Sequence, residues 1–220
     1  MSRFLGNKHR SVDPIWHVQI AMVVAVGLQI IIPNNFSLGP RFALPVIELL
    51  LMLALGFTTP RERIFHSVTR RLNVLLLLFI AGMANAYGLG QVADQLLKGG
   101  RLSNGRALIL TALNIYLTNI IIFALAYWEM DGGGPGERLA VEKHEQDFLF
   151  PQHQHESYRH PQWLPTFVDY LYVSSTNAMA FSPTDTMPLS RRAKLLMLAQ
   201  ATLSLVAIAL VAARAVNILG

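Results

Sequence analysis

Residues 107–128 read ALILTALNIYLTNIIIFALAYW, from Ala107 to Trp128 without one charged side chain. About 20 helical residues cross the roughly 30 Å hydrocarbon layer of a bilayer, so this stretch reads as a membrane span. Within it Thr111, Asn114, Thr118 and the neighbouring Asn119 recur at helical spacing and form one polar stripe. Such a stripe faces other helices rather than lipid. The span therefore belongs inside a bundle.

Upstream lie three further apolar runs. Ile15 to Ile32 follows an N-terminus carrying Arg3, Lys8 and Arg10, and it closes on Pro33-Asn34-Asn35. It is longer than the apolar region of a signal peptide and lacks a small-residue cleavage site, so it reads as a first span. Phe42 to Phe57 is a shorter second span interrupted by one acid, Glu48. An intramembrane carboxylate points by default to a relay for protons or cations, the bland alternative being an interhelical hydrogen bond from the protonated acid. Leu72 to Ala93 is the third, with Gly88 and Gly90 loosening its far end before a polar turn from Asp94 to Arg106. His17 and Gln19 sit beside Trp16 at the edge of the first span and read as interfacial.

Downstream, Asp131-Gly132-Gly133-Gly134-Pro135-Gly136 cannot continue a helix, and a polar, acidic loop rich in histidine (His144, His153, His155, His160) runs to residue 165. The histidine spacing fits no zinc signature, and the expectation is a solvated loop with no metal and no cofactor. Thr166 to Ala180 is too short to span. The string Phe181-Ser182-Pro183-Thr184-Asp185 breaks it, and a fifth span runs from Leu195 to Ala213, preceded by Arg191, Arg192 and Lys194.

A short helix, a polar string and a full span form the layout of a re-entrant loop, since irregular backbone at membrane depth is tolerated only where protein buries it or water lines it. Tyr172-Val173-Ser174-Ser175-Thr176, then Asp185-Thr186-Met187-Pro188 at a gapless spacing, resembles the pore segment of the potassium-channel superfamily, which reads Tyr-x-Ser-x-Thr, a filter, then Asp-x-x-Pro. The resemblance continues through Ser190, Ala193 and Lys194. It implies an outer helix at 107–128, a pore helix at 167–178 and an inner helix at 195–213. By the same resemblance Thr176, Asn177, Ala180, Phe181, Ser182, Pro183, Thr184 and Asp185 are filter-like. Tyr172, Ser174 and Pro188 would support them, with Asp185 held by donors on the helix before it. The filter departs from the family: Ala180-Phe181-Ser182-Pro183-Thr184 stands where potassium channels carry Thr-Val-Gly-Tyr-Gly. Both glycines that let carbonyls face the axis are missing and Pro183 fixes its own φ, so K⁺ selectivity is not expected. The whole chain also resembles a family of bacterial five-helix membrane proteins to which no activity attaches. The same stretch equally describes an interfacial helix and a Ser-Pro-Thr-Asp turn in which Asp185 or Ser182 satisfies nearby amides.

Composition agrees with a membrane location. Of 220 residues, 53% are apolar and 14% charged, and the formal +5 charge sits at the ends of the apolar runs, where it sets topology rather than binding nucleic acid. The absence of cysteine removes disulfides, thiolate metal sites and a thiol nucleophile. No Gly-x-Ser-x-Gly, His-Glu-x-x-His or phosphate-loop motif is present, so no enzyme is expected. With the N-terminus inside, ten basic residues near span ends are cytoplasmic (Arg3, Lys8, Arg10, Arg61, Arg63, Arg70, Arg71, Arg191, Arg192, Lys194) against five outside (Arg41, Lys98, Arg101, Arg106, Arg214). This count puts the pore-like loop on the cytoplasmic side, whereas the channel analogy demands the opposite.

The expectation is an all-α, five-span protein of the inner or plasma membrane, with a three-helix region at 1–106 and a pore-channel-like module at 107–220. That module comprises the outer helix, a polar loop at 129–165, a pore-like helix at 166–180 and an inner helix at 192–219. Its partners would be the bilayer, monovalent ions and other copies of the chain, four if they enclose a pore. The alternative is a non-conducting scaffold that keeps the channel-like fold and interacts through its acidic loop.

Overall fold

The computed structural model describes residues 16–30, 46, 49–50, 68–97, 105–139, 145–154, 163–179 and 185–219. Helices account for most of them: α1 (Trp16–Ile30), α2 (Val68–Leu97), α3 (Gly105–Met130), the single turn α4 (Pro151–Gln154), α5 (Phe167–Ala178) and α6 (Arg191–Leu219). A two-residue antiparallel ladder joins β1 (Phe148–Leu149) to β2 (Met187–Pro188), with Phe148 opposite Pro188 and Leu149 opposite Met187.

Among the described residues three segments, Arg71–Leu97, Ala107–Gly133 and Arg191–Val216, are long enough and apolar enough to cross a membrane. The protein is a helical membrane protein. Of the five expected spans, the third, fourth and fifth correspond to these helices. The first is a 15-residue helix, and the second falls almost wholly outside the described residues, as does Glu48. Gly88 and Gly90 do not end α2, which continues through Asp94 to Leu97. One glycine costs a helix about 1 kcal/mol, too little to stop a run whose other residues hold it.

The helices pack around α3. Val18, Met22 and Ala25 of α1, at helical spacing, and Val74, Leu78 and Ala81 of α2 share one core with Ile121–Tyr127 of α3, Phe167, Tyr170 and Val173 of α5, and Ala193 of α6. A second cluster joins Leu89 and Val92 of α2 to Leu108, Ala112 and Ile115 of α3 and Ala207 of α6. The outer faces of α2 and α6 instead expose Leu72, Leu76, Phe79 and Met83, and Leu195, Leu198, Leu205 and Val216. These are surfaces a bilayer would cover.

Directions follow from the cross-links. Arg71, in the first turn of α2, donates to the Met130 carbonyl at the end of α3 (3.1 Å), while Asn85 donates to the Ile115 carbonyl (3.1 Å), so α2 and α3 run antiparallel. The polar stripe of α3 is fully buried. Asn114 donates to the Leu28 carbonyl of α1, and Asn119 to Ser204 Oγ of α6 at 3.0 Å.

The end of α3 is built by its glycines. Gly132, Gly133 and Gly134 have φ of 56°, 88° and 101°. A Cβ on Gly134 would lie 3.1 Å from the Glu129 carbonyl, so only glycine turns the chain here without strain. Arg138 folds back to donate to the carbonyls of Trp128 (2.7 Å) and Asp131 (2.8 Å), placing a cation where the helix dipole is negative.

Candidate functional site

The helix expected over 166–180 is α5. A capping box closes its start: the Thr166 side chain meets the Asp169 amide, and the Asp169 carboxylate accepts from the Thr166 amide (2.7 Å) and also from its hydroxyl (2.8 Å). Twelve residues give about 18 Å of helix, short of a 30 Å hydrocarbon layer. Its inner face carries Phe167, Tyr170, Val173 and Ser174, all buried, and Val168 and Tyr172 are exposed on the other side.

A polar knot holds this helix to α3 and α6. Gln200 is buried completely and fills all its bonding positions. Its Oε1 accepts from Tyr127 Oη (2.6 Å) and Asn177 Nδ2 (2.9 Å), and its Nε2 donates to Ser174 Oγ (2.6 Å) and the Ser174 carbonyl (2.9 Å). Ser174 Oγ in turn donates to the Ile120 carbonyl at 2.7 Å, and Asn177 Nδ2 also donates to the Met197 carbonyl at 2.9 Å. In a medium without water such a satisfied network fixes orientation, because no alternative partner competes.

A second knot lies at the Asp131 end. The buried Asp131 carboxylate accepts from the amides of Asp147 (2.6 Å) and Phe148 (3.2 Å) and from Tyr170 Oη (2.5 Å). Arg138 stands 5.1 Å above the Tyr170 ring. Phe148 packs on Tyr127 and Tyr170, and Phe150 on Trp163 and Tyr170. Asp147, itself buried, receives both Nε (2.6 Å) and an Nη (2.7 Å) of Arg192 in a bidentate pair. This corrects the expectation of a solvated loop for its described part. Apolar residues spaced inside an acidic sequence, Phe148 and Phe150, supply a cap that the charge count concealed.

The expected site residues are distributed unevenly. Ser174 and Asn177 belong to the polar knot. Thr176 is buried and donates to the carbonyls of Tyr172 and Val173 in its own helix, both at 3.0 Å. Tyr172 is exposed, Pro188 sits in the ladder opposite Phe148, and Ala180, Phe181, Ser182, Pro183 and Thr184 lie outside the described residues, with Glu48. Asp185 is exposed, and among the described residues it makes no bond to α5. The expected bonding of Asp185 to Tyr172, Ser174 or Thr176 is thereby corrected: the hydroxyls of Ser174 and Thr176 are spent on carbonyls.

Gln200, Tyr127, Asp131, Asp147 and Arg192 were not foreseen as site residues. For Gln200 a signal existed, a lone amide among apolar residues of the last span and one turn before Ser204. For Asp131 and Asp147 none did, since their bonding depends on how the loop returns. The fold and its two knots define a class, a helical membrane protein with a short helix locked between two long ones. The chain matches no family model, no curated protein and no solved structure.

Proposed function

We propose that the protein forms an ion-permeable pore as a homo-oligomer, with α5, the string after it and α6 as its pore module. One observation carries this reading. Tyr170 near the start of α5 bonds Asp131, Ser174 reaches the Ile120 carbonyl deeper in α3, and by Met187 the chain is back beside Leu149 at the Asp131 end. The described backbone is thus at the Asp131 end both at the start of α5 and again at Met187, and α5 itself is too short to cross a bilayer. A single such module cannot enclose an axis, so the pore needs several copies, four by analogy with the channels the sequence resembles.

The orientation follows from charge. Arg71, Arg138, Arg191, Arg192 and Lys194 gather at the Asp131 end, which the positive-inside rule assigns to the cytoplasm. The loop would then open inward, inverted relative to potassium channels.

A second reading is favoured by the exposed Asp185 and the spent hydroxyls of Ser174 and Thr176: a non-conducting scaffold that keeps the layout without a bonded filter. Flux of K⁺, Na⁺, H⁺ and anions from proteoliposomes, with crosslinking of the same preparation, separates the two. Conductance by a tetramer, with no more than about a hundredfold preference for K⁺ over Na⁺, supports the pore. A monomer without flux supports the scaffold. Glu48→Gln altering the pH dependence of flux would give that carboxylate a part in transport.

A further inference from the structure

The segment Asp147–Leu149 is attached on two sides, and the attachments differ in kind. Toward α3 and α5 they are sealed: Asp131, Phe148 and Tyr170 are each at most 1% exposed and bonded or stacked together. Toward α6 they are open to water. The Arg192 side chain is 54% exposed although it grips Asp147 with two bonds, and the ladder to Met187 and Pro188 is only two residues long with Met187 exposed. A further bond on that side runs from the Leu189 amide to the Asp147 carbonyl at 2.8 Å.

We propose that residues 147–149 are a latch on α6, with one half fixed to α3 and α5 and the other releasable. Regions open first where backbone bonds are solvent-exposed and buried apolar contacts few. Competing ions reach the Arg192 guanidinium directly, whereas Asp131 and Tyr170 are shielded. Release therefore frees the connection at 185–190, while Ala193 keeps the start of α6 in the core and the cap stays on α3 and α5. The inference deepens the pore reading, because the freed connection leads into the helix that would line the path, yet it can be measured without flux.

The chain's lack of cysteine provides the measurement. Thr186, buried in the connection, and Pro165, buried just before α5, are replaced singly by cysteine in the full-length protein in mild detergent, and the rate of modification by a water-soluble maleimide is followed. Arg192→Gln should raise the rate at Thr186→Cys by about tenfold or more and leave Pro165→Cys within about twofold. A second readout does not depend on these variants. With Leu149→Cys and Met187→Cys together, disulfide formation under added copper–phenanthroline and air as oxidant should be rapid and should slow severalfold when Arg192→Gln is added. An unchanged rate at Thr186→Cys, or an equal rise at both positions, overturns the latch, as does unaltered disulfide formation. Absence of flux with the labelling pattern intact would sink the pore reading alone.

Discussion

The side-chain amide of Gln200 on α6 donates to Ser174 on α5, 2.6 Å from its hydroxyl oxygen and 2.9 Å from its carbonyl. Both residues are fully buried, so the amide cannot exchange its protein partners for water. Replacing it by leucine strands Tyr127 Oη and leaves Asn177 Nδ2 with the Met197 carbonyl alone. Single interhelical bonds in membranes average about 0.6 kcal/mol, but an unsatisfied buried group costs about 1–3 kcal/mol. Gln200→Leu should destabilise by about 2 kcal/mol in reversible unfolding from mixed micelles. A loss below about 0.5 kcal/mol would mean that the knot does not hold α5 in place.

Gly134 combines φ 101° with ψ 173°, a region essentially closed to side chains. Gly134→Ala should cost about 1–3 kcal/mol. In α2, a Cβ on Gly90 would meet nothing within 4 Å, so Gly90→Ala should be neutral or stabilise by up to about 1 kcal/mol. Thermal unfolding of the two variants side by side checks the contrast, and similar melting shifts would remove the backbone argument.

Burial holds the His153 imidazole below its ordinary value of 6.5, a shift that the nearby Asp131 charge and a hydrogen bond at the Trp163 backbone partly offset. The closed cap thus binds a proton less readily than the open one. The stability that neutral His153 contributes is complete above pH 6.5 and is lost as pH falls through that value toward the lower one of the closed cap. Because the rings of His153 and Trp163 are 5.0 Å apart, Trp163 emission reports the change once Trp16 and Trp128 are replaced by phenylalanine. His153→Gln should flatten the change in emission as pH falls from above 6.5 to below it. A profile identical to the parent's would assign the effect to another group.

Asp185 is exposed and unbonded to α5 among the described residues, so Asp185→Ala should change stability by less than about 0.5 kcal/mol. Measured in the same unfolding assay, a loss above about 1.5 kcal/mol would point to a partner in another copy of the chain.

The spans at the centre were legible because length and charge alone decide them: Ala107–Trp128 has no other physical home than a bilayer or a buried bundle. The bounds of α5 were legible for a different reason, since Pro165 and the Ser-Pro-Thr string frame it. Asp131 and Asp147 were not, because a carboxylate beside glycines reads as a turn until the loop's return brings amides to it. The partners of Ser174 and Thr176 are hidden for related reasons. Thr176 has carbonyls of its own helix within reach, which compete with any residue beyond the next turn, and Ser174 meets the Ile120 carbonyl only once α5 packs on α3.

The polar stripe of α3 has a consequence for biosynthesis. Asn119 finds Ser204 85 residues later and Tyr127 finds Gln200 73 residues later. At translation rates of roughly 5–20 residues per second, α3 waits on the order of 4–17 s between its own synthesis and that of its last partner. During that interval its amides and hydroxyls face α1, α2 and whatever the insertion machinery offers. A nascent chain halted in the loop before α5 would present this uncovered stripe inside the membrane, a feature by which quality control could tell an unfinished copy from a finished one.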